Sequence, residues 1–169
     1  MSYSCMPNIG CIIARENKKK LRGTSTQDDA NNCNCRNKTE CPVENQCLKT
    51  NIVYCATVTC PGNGTTETYT GLSQDSMKER ITKHQYDFRT PSQEKSTKLS
   101  SYIWGLKSQN LDFQVKWKIL ARAGAYNTSA KVCNLCNCEV FFILKHLETA
   151  SLNSRSEMKN KCRHINKFK

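Results

Sequence analysis

Ile52-Val53-Tyr54-Cys55-Ala56-Thr57-Val58, then Pro61-Gly62-Asn63-Gly64, then Glu67-Thr68-Tyr69-Thr70-Gly71-Leu72 form the stretch on which the fold turns. Two runs rich in β-branched and aromatic residues flank a strong turn signal, and together they predict a β-hairpin. With pairing centred on that turn, Tyr69 faces Ala56 and lies diagonal to Tyr54. Both phenols then occupy one face of the ladder within side-chain reach of each other. A one-residue slip in the turn would separate them.

Ser76-Met77-Lys78-Glu79 follows as a capping box and marks a helix start. The helix is expected to run to about Arg89, with Met77, Ile81 and Phe88 on one apolar stripe. His84 lies on that stripe and Arg80 borders it one turn earlier, so two cationic side chains point toward the hairpin. A buried arginine needs a counter-charge, because an uncompensated charge costs several kcal/mol. A carboxylate or a phosphate would serve. Leu99, Tyr102, Ile103 and Leu106 then repeat at helical spacing, Phe113 to Ile119 alternates as a strand, and an apolar helix opens near Cys136 with Glu139 in its first turn. The order β-β-α-α-β-α makes this a small α/β domain of the α+β kind.

Ile52-Val53-Tyr54 and Tyr69-Thr70-Gly71, Arg80 with His84 four residues later, Glu139 on a late helix and Asn153 beyond it resemble the GIY-YIG endonuclease family in order and spacing. The likeness covers roughly Asn51 to Asn153. More narrowly, the chain resembles the GIY-YIG domains at the ends of Penelope-like retroelement polyproteins, including the Cys-Asn-Cys at Cys33 to Cys35 and the Cys-Arg-His at Cys162 to His164. The chain departs from the family pattern at two points. Ile52 replaces the usual glycine of the first motif, harmlessly in a strand. Thr70 replaces an aliphatic residue in the second, and its hydroxyl needs a partner if buried, at a cost of ~1–3 kcal/mol when none is found.

The resemblance implies an antiparallel three-stranded sheet flanked by helices, and a divalent-metal-dependent DNA endonuclease. Hydrolysing a phosphodiester requires an activated water, a counter-charge for the transition state and help for the leaving oxygen. By the likeness, Glu139 would ligate one Mg²⁺ or Mn²⁺ and Arg80 would neutralise the scissile phosphate. Tyr54 would be the general base passing its proton toward His84, Tyr69 would position water or the other phenol, and Asn153 would orient the site. A phenol of pKa about 10 needs nearby cations for that role. Taken one at a time, the same residues have ordinary readings. The tyrosines suit any sheet, His84 a core, Asn153 a turn, and Glu139 a first helical turn stabilised by the macrodipole.

Cysteine usage is the second strong signal, with 12 in 169 residues. Cys33, Cys35, Cys41 and Cys47 crowd a polar stretch containing Pro42 with little that could form a core. Zinc held by four thiolates would staple it, its binding energy serving as folding energy. A pair of disulfides is the alternative, although Cys-x-Cys is poorly placed to bridge internally. Cys133-x2-Cys136 with Cys162-x-His164 reads as a second tetrahedral site tying the chain end to the Glu139 helix, against isolated thiols with Cys138 competing. Both sites would be closed and structural. Cys5, Cys11, Cys55 and Cys60 stay unassigned.

Net charge is +12, and Arg155 to Lys169 carries six Lys/Arg against one Glu. Polyanions are the natural partner of such charge, though a basic tail is also an ordinary solvated end. Lys18-Lys19-Lys20 with Arg22 reads equally as a nuclear address or a phosphate contact. Met1 to Ile13 lacks the basic n-region of a signal peptide, and no apolar run approaches the ~18 residues of a membrane span. An intracellular, nuclear protein with reduced thiols is expected, the sequons at Asn37, Asn63 and Asn127 mattering only in the secretory path. Organisation is read as a polar segment at 1–50 with the cysteine module at 33–47, a nuclease-like core at 51–153 and a basic tail at 154–169. The resemblance implies a reverse transcriptase upstream. Two other functions compete with the nuclease: an inactive zinc-stabilised nucleic-acid-binding module, and a secreted disulfide-rich protein.

Overall fold

The computed structural model describes residues 32–62, 64–123, 133–154 and 162, all within the compact unit that begins at Asn32. Readings placed on Cys5, Cys11, the basic run at Lys18 to Arg22, Asn63, Asn127 and His164 lie outside the described residues, as does most of the basic tail.

The elements are β1 (Ile52–Cys60), β2 (Thr65–Ser73), α1 (Met77–Asp87), α2 (Lys98–Ser108), β3 (Gln114–Arg122) and α3 (Asn134–Lys145). The order is the expected one. The strands form a three-stranded antiparallel sheet in the order β2-β1-β3. Ala56 pairs with Tyr69 and Tyr54 with Gly71, which is the register the turn predicts. β1 and β2 run two residues closer to the turn than expected, because the threonines and Cys60 continue the ladder. Gly64 closes the turn in the left-handed region at φ 68° and donates its N–H to the Cys60 carbonyl at 2.9 Å.

β1 is the central strand and is buried almost throughout, whereas β3 alternates between half-buried and exposed positions, as an edge strand covered on one face should. Between Val53 and Tyr54 the β1–β3 pairing slips by one residue, which leaves Leu120 as a bulge. Ile119, Trp117 and Val115 therefore line the Tyr54 face, while Leu120 joins Val53 on the other. The slip also lets β3 continue to Arg122, three residues beyond its expected end.

Each face has its own core. On the Tyr54 face, Ile52, Tyr54, Ala56 and Val58 pack against Met77, Ile81 and Phe88 of α1 and against Leu99, Ile103 and Leu106 of α2. Val43 and Cys47 belong to the same cluster. On the opposite face, Val53 packs with Cys133 and Leu135 at the start of α3, with Leu72 and Leu120 alongside. None of the helices among the described residues is long and apolar enough to cross a membrane.

Two helix boundaries need correction. α1 stops at Asp87 with Phe88 as its cap, two residues short of Arg89. α3 begins at Asn134 rather than near Cys136, with the Cys133 side chain accepting from the Cys136 N–H. Glu139 therefore lies in the second turn, and the first contains no acid. The macrodipole falls off within the first turn, so it does not account for Glu139.

The capping box is present in full. Ser76 Oγ accepts from the Glu79 N–H, and Glu79 Oε2 accepts from the Ser76 N–H at 3.0 Å. The Ser76 hydroxyl, which donates to Glu79 Oε2 at 2.7 Å, and then the Ser76 N–H hold the Glu79 carboxyl below its usual range. Ser76→Ala should cost about 1 kcal/mol of folding free energy. Urea unfolding checks this: the midpoint should fall while the m-value stays that of the wild type.

Candidate functional site

The site is built around the Tyr54 hydroxyl. Register places Tyr54 in the first half of β1, the central strand, fully buried, and the α1 stripe places His84 and Arg80 above it. Arg80 Nε donates to the Tyr54 hydroxyl at 2.8 Å, and that hydroxyl lies 2.7 Å from His84 Nε2. Which of the two donates in the Tyr54–His84 bond depends on the imidazole tautomer; a phenol that donates its proton to Nε2 satisfies both of its own hydrogen-bonding roles. The group that Arg80 meets is thus a hydroxyl, which accepts its hydrogen bond without supplying the charge of the expected carboxylate or phosphate.

Burial tunes all three groups. It pushes the Tyr54 phenol up to about 12, with Arg80 opposing and the charges of Glu139 and Asp87 adding to the rise. His84 is lowered to about 3 by burial, helped by Arg80 and Lys83. Burial pulls Arg80 down, but its contacts with Tyr54 outweigh this and hold it above its ordinary value. At neutral pH the trio is a phenol, an imidazole and one guanidinium cation.

His84 is held between aromatic rings, stacked on Trp117 at 5.3 Å and on Phe88 at 5.9 Å. Its Nδ1 is buried without a hydrogen-bond partner. When Nε2 accepts from Tyr54, the ring proton sits on that orphaned nitrogen, a tautomer that burial makes costly. Phe88 one turn after His84, and Trp117 at an alternate position of β3, were readable from spacing. Their packing around the imidazole was not anticipated.

Gly71 explains how the two tyrosines share one face. A Cβ there would stand 2.6 Å from the Tyr54 hydroxyl, 2.8 Å from Cζ and 3.0 Å from Tyr69 Cε1. Both rings therefore lean over the glycine, and Tyr69 is itself buried. Its φ is ordinary, so the constraint is space, not backbone conformation.

The remaining expected residues come from the second half of the chain. Glu139 on α3 is half-buried, and its charge is felt at the Tyr54 phenol. Asn153 Oδ1 accepts from the Thr70 N–H at 2.8 Å, and its Nδ2 donates to the Thr70 carbonyl at 2.8 Å. That bond pair ties Asn153 to the edge of β2, between Tyr69 and Gly71. Thr70 is fully buried, and its hydroxyl donates to the Thr149 carbonyl at 2.7 Å, so the departure from an aliphatic residue is satisfied. Ser151 and Leu152 continue the seam, Leu152 N–H donating to the Thr68 carbonyl at 2.8 Å and Ser151 Oγ accepting from the Thr68 N–H at 2.8 Å. Beside the trio, an open pocket of about 670 Å³ is lined by Leu72, Gln74, Asp75, Glu79, Arg80 and Lys83. Arg80 is the member of the trio that reaches it.

The cysteines form two groups that could each hold a metal ion. The sulfurs of Cys33, Cys35, Cys41 and Cys47 lie within 4.8 Å of one another, as do those of Cys133, Cys136 and Cys162. Sγ separations are 3.5 Å for Cys33–Cys47, 3.7 Å for Cys35–Cys47 and 3.4 Å for Cys136–Cys162. All of these exceed the ~2.05 Å of a disulfide. Hydrogen bonding to Cys33 pushes the Cys35 thiol up to about 12, and burial raises Cys47 and Cys136. Cys41 falls to about 7, the Val43 N–H and the Cys33 thiol outweighing burial. Such thiols ionise together only if a cation compensates, so occupancy should release protons and weaken in acid. Cys138 belongs to neither group, and Cys55 and Cys60 are buried in the sheet.

Gly71→Ala should displace the Tyr54 ring and destabilise the fold by about 1–3 kcal/mol, the usual cost of overpacking. Equilibrium denaturation together with loss of the Tyr54–His84 contact by NMR measures it. A second expectation concerns pH. His84 is lowered from 6.5 to about 3, so the unfolded chain binds a proton there while the native protein does not. This group's contribution is present in full above pH 6.5 and is lost as pH falls through the window to about 3. Its ring carbon shift should stay that of neutral imidazole at pH 5, where a solvated histidine has already titrated.

Compared with protein-family models, with curated proteins and with solved structures, the chain matches none of them.

Proposed function

We propose that this protein is a divalent-metal-dependent DNA endonuclease of the GIY-YIG type, hydrolysing phosphodiester bonds as the nicking component of a Penelope-like retroelement. The observation that carries the reading is the Tyr54 hydroxyl held by Arg80 and His84 beneath Tyr69, on a β-β-α-α-β-α frame. An ordinary sheet tyrosine needs neither a guanidinium donor nor a buried imidazole.

In this reading the target phosphate approaches Arg80 through the open pocket, and the guanidinium compensates its charge. Tyr54 takes a proton from the attacking water while its own passes to the neutral His84 Nε2, 2.7 Å away. Tyr69 positions the water, and Asn153 fixes the β2 edge on which Tyr69 and Gly71 stand. Glu139 fits a hard cation, being a half-buried carboxylate whose field reaches Tyr54. Bound there, Mg²⁺ or Mn²⁺ would polarise the phosphate and stabilise the leaving oxygen.

The thiol groups are proposed to hold structural zinc. Tetrahedral zinc with Zn–S near 2.3 Å sets its sulfurs about 3.8 Å apart. The separations of 3.4 to 3.7 Å agree with this. His164 would complete the second site. The +12 charge favours DNA as the partner, a nuclear location and an upstream reverse transcriptase being further parts of the proposal.

Full burial of Tyr54 and a phenol raised to about 12 favour a second reading, a catalytically silent zinc-stabilised nucleic-acid-binding module. Cleavage of supercoiled plasmid in Mg²⁺ or Mn²⁺ separates the two. Wild type should nick and Glu139→Ala should not, at equal zinc content and equal DNA binding. Equal inertness of both proteins while they still bind DNA would establish the second reading.

A further inference from the structure

We infer that the first cysteine group is the positioning element for Arg80 and His84, because its main chain caps the helix that carries them. A helix leaves its first backbone N–H groups without intrahelical partners, and in α1 each of these donors is accounted for. The Ser76 N–H goes to the Glu79 carboxylate and the Glu79 N–H to Ser76 Oγ, which is the capping box. The other two go to a segment far away in sequence. Met77 N–H donates to the Lys49 carbonyl at 3.0 Å, and Lys78 N–H donates to the Cys47 carbonyl at 2.8 Å. Lys78 Nζ adds a bond to Asn34 Oδ1 at 2.8 Å, beside Cys33 and Cys35.

The Cys47–Lys49 segment is tied to its own loop by the Lys49 N–H, which donates to the Gln46 carbonyl at 3.1 Å, and by Lys49 Nζ, which donates to Gln46 Oε1 at 3.0 Å. Leu48 N–H donates to the Asn32 carbonyl at 2.8 Å, and Cys47 is fully buried with its sulfur 3.5 Å from Cys33 and 3.7 Å from Cys35. Glu44 and Asn45 between the thiols sit at φ 49° and 64°, a conformation that residues with a Cβ adopt at a cost. Closing four thiols on one metal ion would fix the two carbonyls opposite Met77 and Lys78. Arg80 and His84 follow on the same helix, one and two turns on, and reach Tyr54 through bonds of 2.8 and 2.7 Å. Losing the metal would free the carbonyls, loosen the first turn of α1 and let both side chains drift from the phenol.

The second group stands in the same relation to the other half of the site. Cys133 caps α3, the helix of Glu139, and Cys136 lies in its first turn. Each half of the candidate site thus starts from its own thiol group, which gives the test an internal control. The consequence for catalysis rests on the nuclease reading, but the consequence for α1 does not.

The experiment is amide hydrogen exchange by NMR on the full chain loaded with zinc, comparing wild type, Cys41→Ser and Cys136→Ser, with plasmid cleavage on the same samples. Cys41 is chosen because it is only partly buried, unlike Cys47. Cys41→Ser should speed exchange at Met77 and Lys78 about tenfold, the scale of one lost hydrogen bond, while the β1–β3 ladder keeps its protection. Cys41→His, which keeps a ligand, should restore it, and cobalt in place of zinc should give the absorption bands of a tetrahedral thiolate site. Cys136→Ser should leave Met77 and Lys78 unchanged. In cleavage, Cys41→Ser should lower kcat and leave KM for DNA near wild type.

Unchanged exchange at Met77 and Lys78 in Cys41→Ser would overturn the inference. So would an equal loss of protection across Met77, Lys78 and the ladder, which would mean that the metal only stabilises the fold. A wild type that binds zinc and cuts no DNA would refute the nuclease reading alone, and exchange would still decide the positioning role.

Discussion

A partly buried arginine beside a fully buried phenol is the arrangement from which the rest of this structure follows. Arg80 donates to the Tyr54 oxygen, and that hydroxyl shares a second hydrogen bond with His84 Nε2. Each group satisfies the next, so moving any one leaves a polar atom stranded at a cost of about 1–3 kcal/mol. The network fixes the height of α1 over the sheet. It also fixes the register of the hairpin, since the Tyr54 ring needs the empty position at Gly71 and no residue with a side chain offers one.

Much of this was legible in the chain because the signals are local. The paired strands, the capping box and the helical stripes are periodic patterns within short windows, and the structure keeps their order and register. What was not legible depends on backbone atoms or on distant partners. The carbonyls of Cys47 and Lys49 that receive the α1 amides have no side-chain signature. α3 begins two residues early because a cysteine takes the capping role usually given to Ser, Thr, Asp or Asn. The bulge at Leu120 cannot be read from an alternating pattern that simply ends. Asn153 is legible as a hydrogen-bonding residue, but the sequence does not say that its side chain meets both backbone groups of Thr70. The chemistry was clearest where residue types cluster, as with the thiols, and least clear where empty space does the work, as at Gly71.

The two faces of the sheet divide the labour. The face with α1 and α2 holds the phenols and the imidazole in a well-packed interior with the guanidinium at its border, and the face with α3 brings the carboxylate and the second thiol group. A domain of this size has a modest core, and fixing the ends of two helices from outside allows polar groups to be kept at its centre. Those groups would otherwise be the first to pull the core apart.

The seam along β2 has a consequence beyond the site. A strand at the border of a sheet offers a row of unpaired donors and acceptors to any passing chain, and here Leu152, Ser151 and Asn153 occupy that row at Thr68 and Thr70. Asn153 imitates a neighbouring strand with its side-chain amide, contacting one residue's N–H and carbonyl together. It does so without presenting a fresh edge of its own, as a true fourth strand would. The sheet is thereby finished on that side, and growth by addition of another molecule is blocked there. On the far side, Lys116 and Lys118 stand exposed along β3, and charge does the work that the asparagine does along β2.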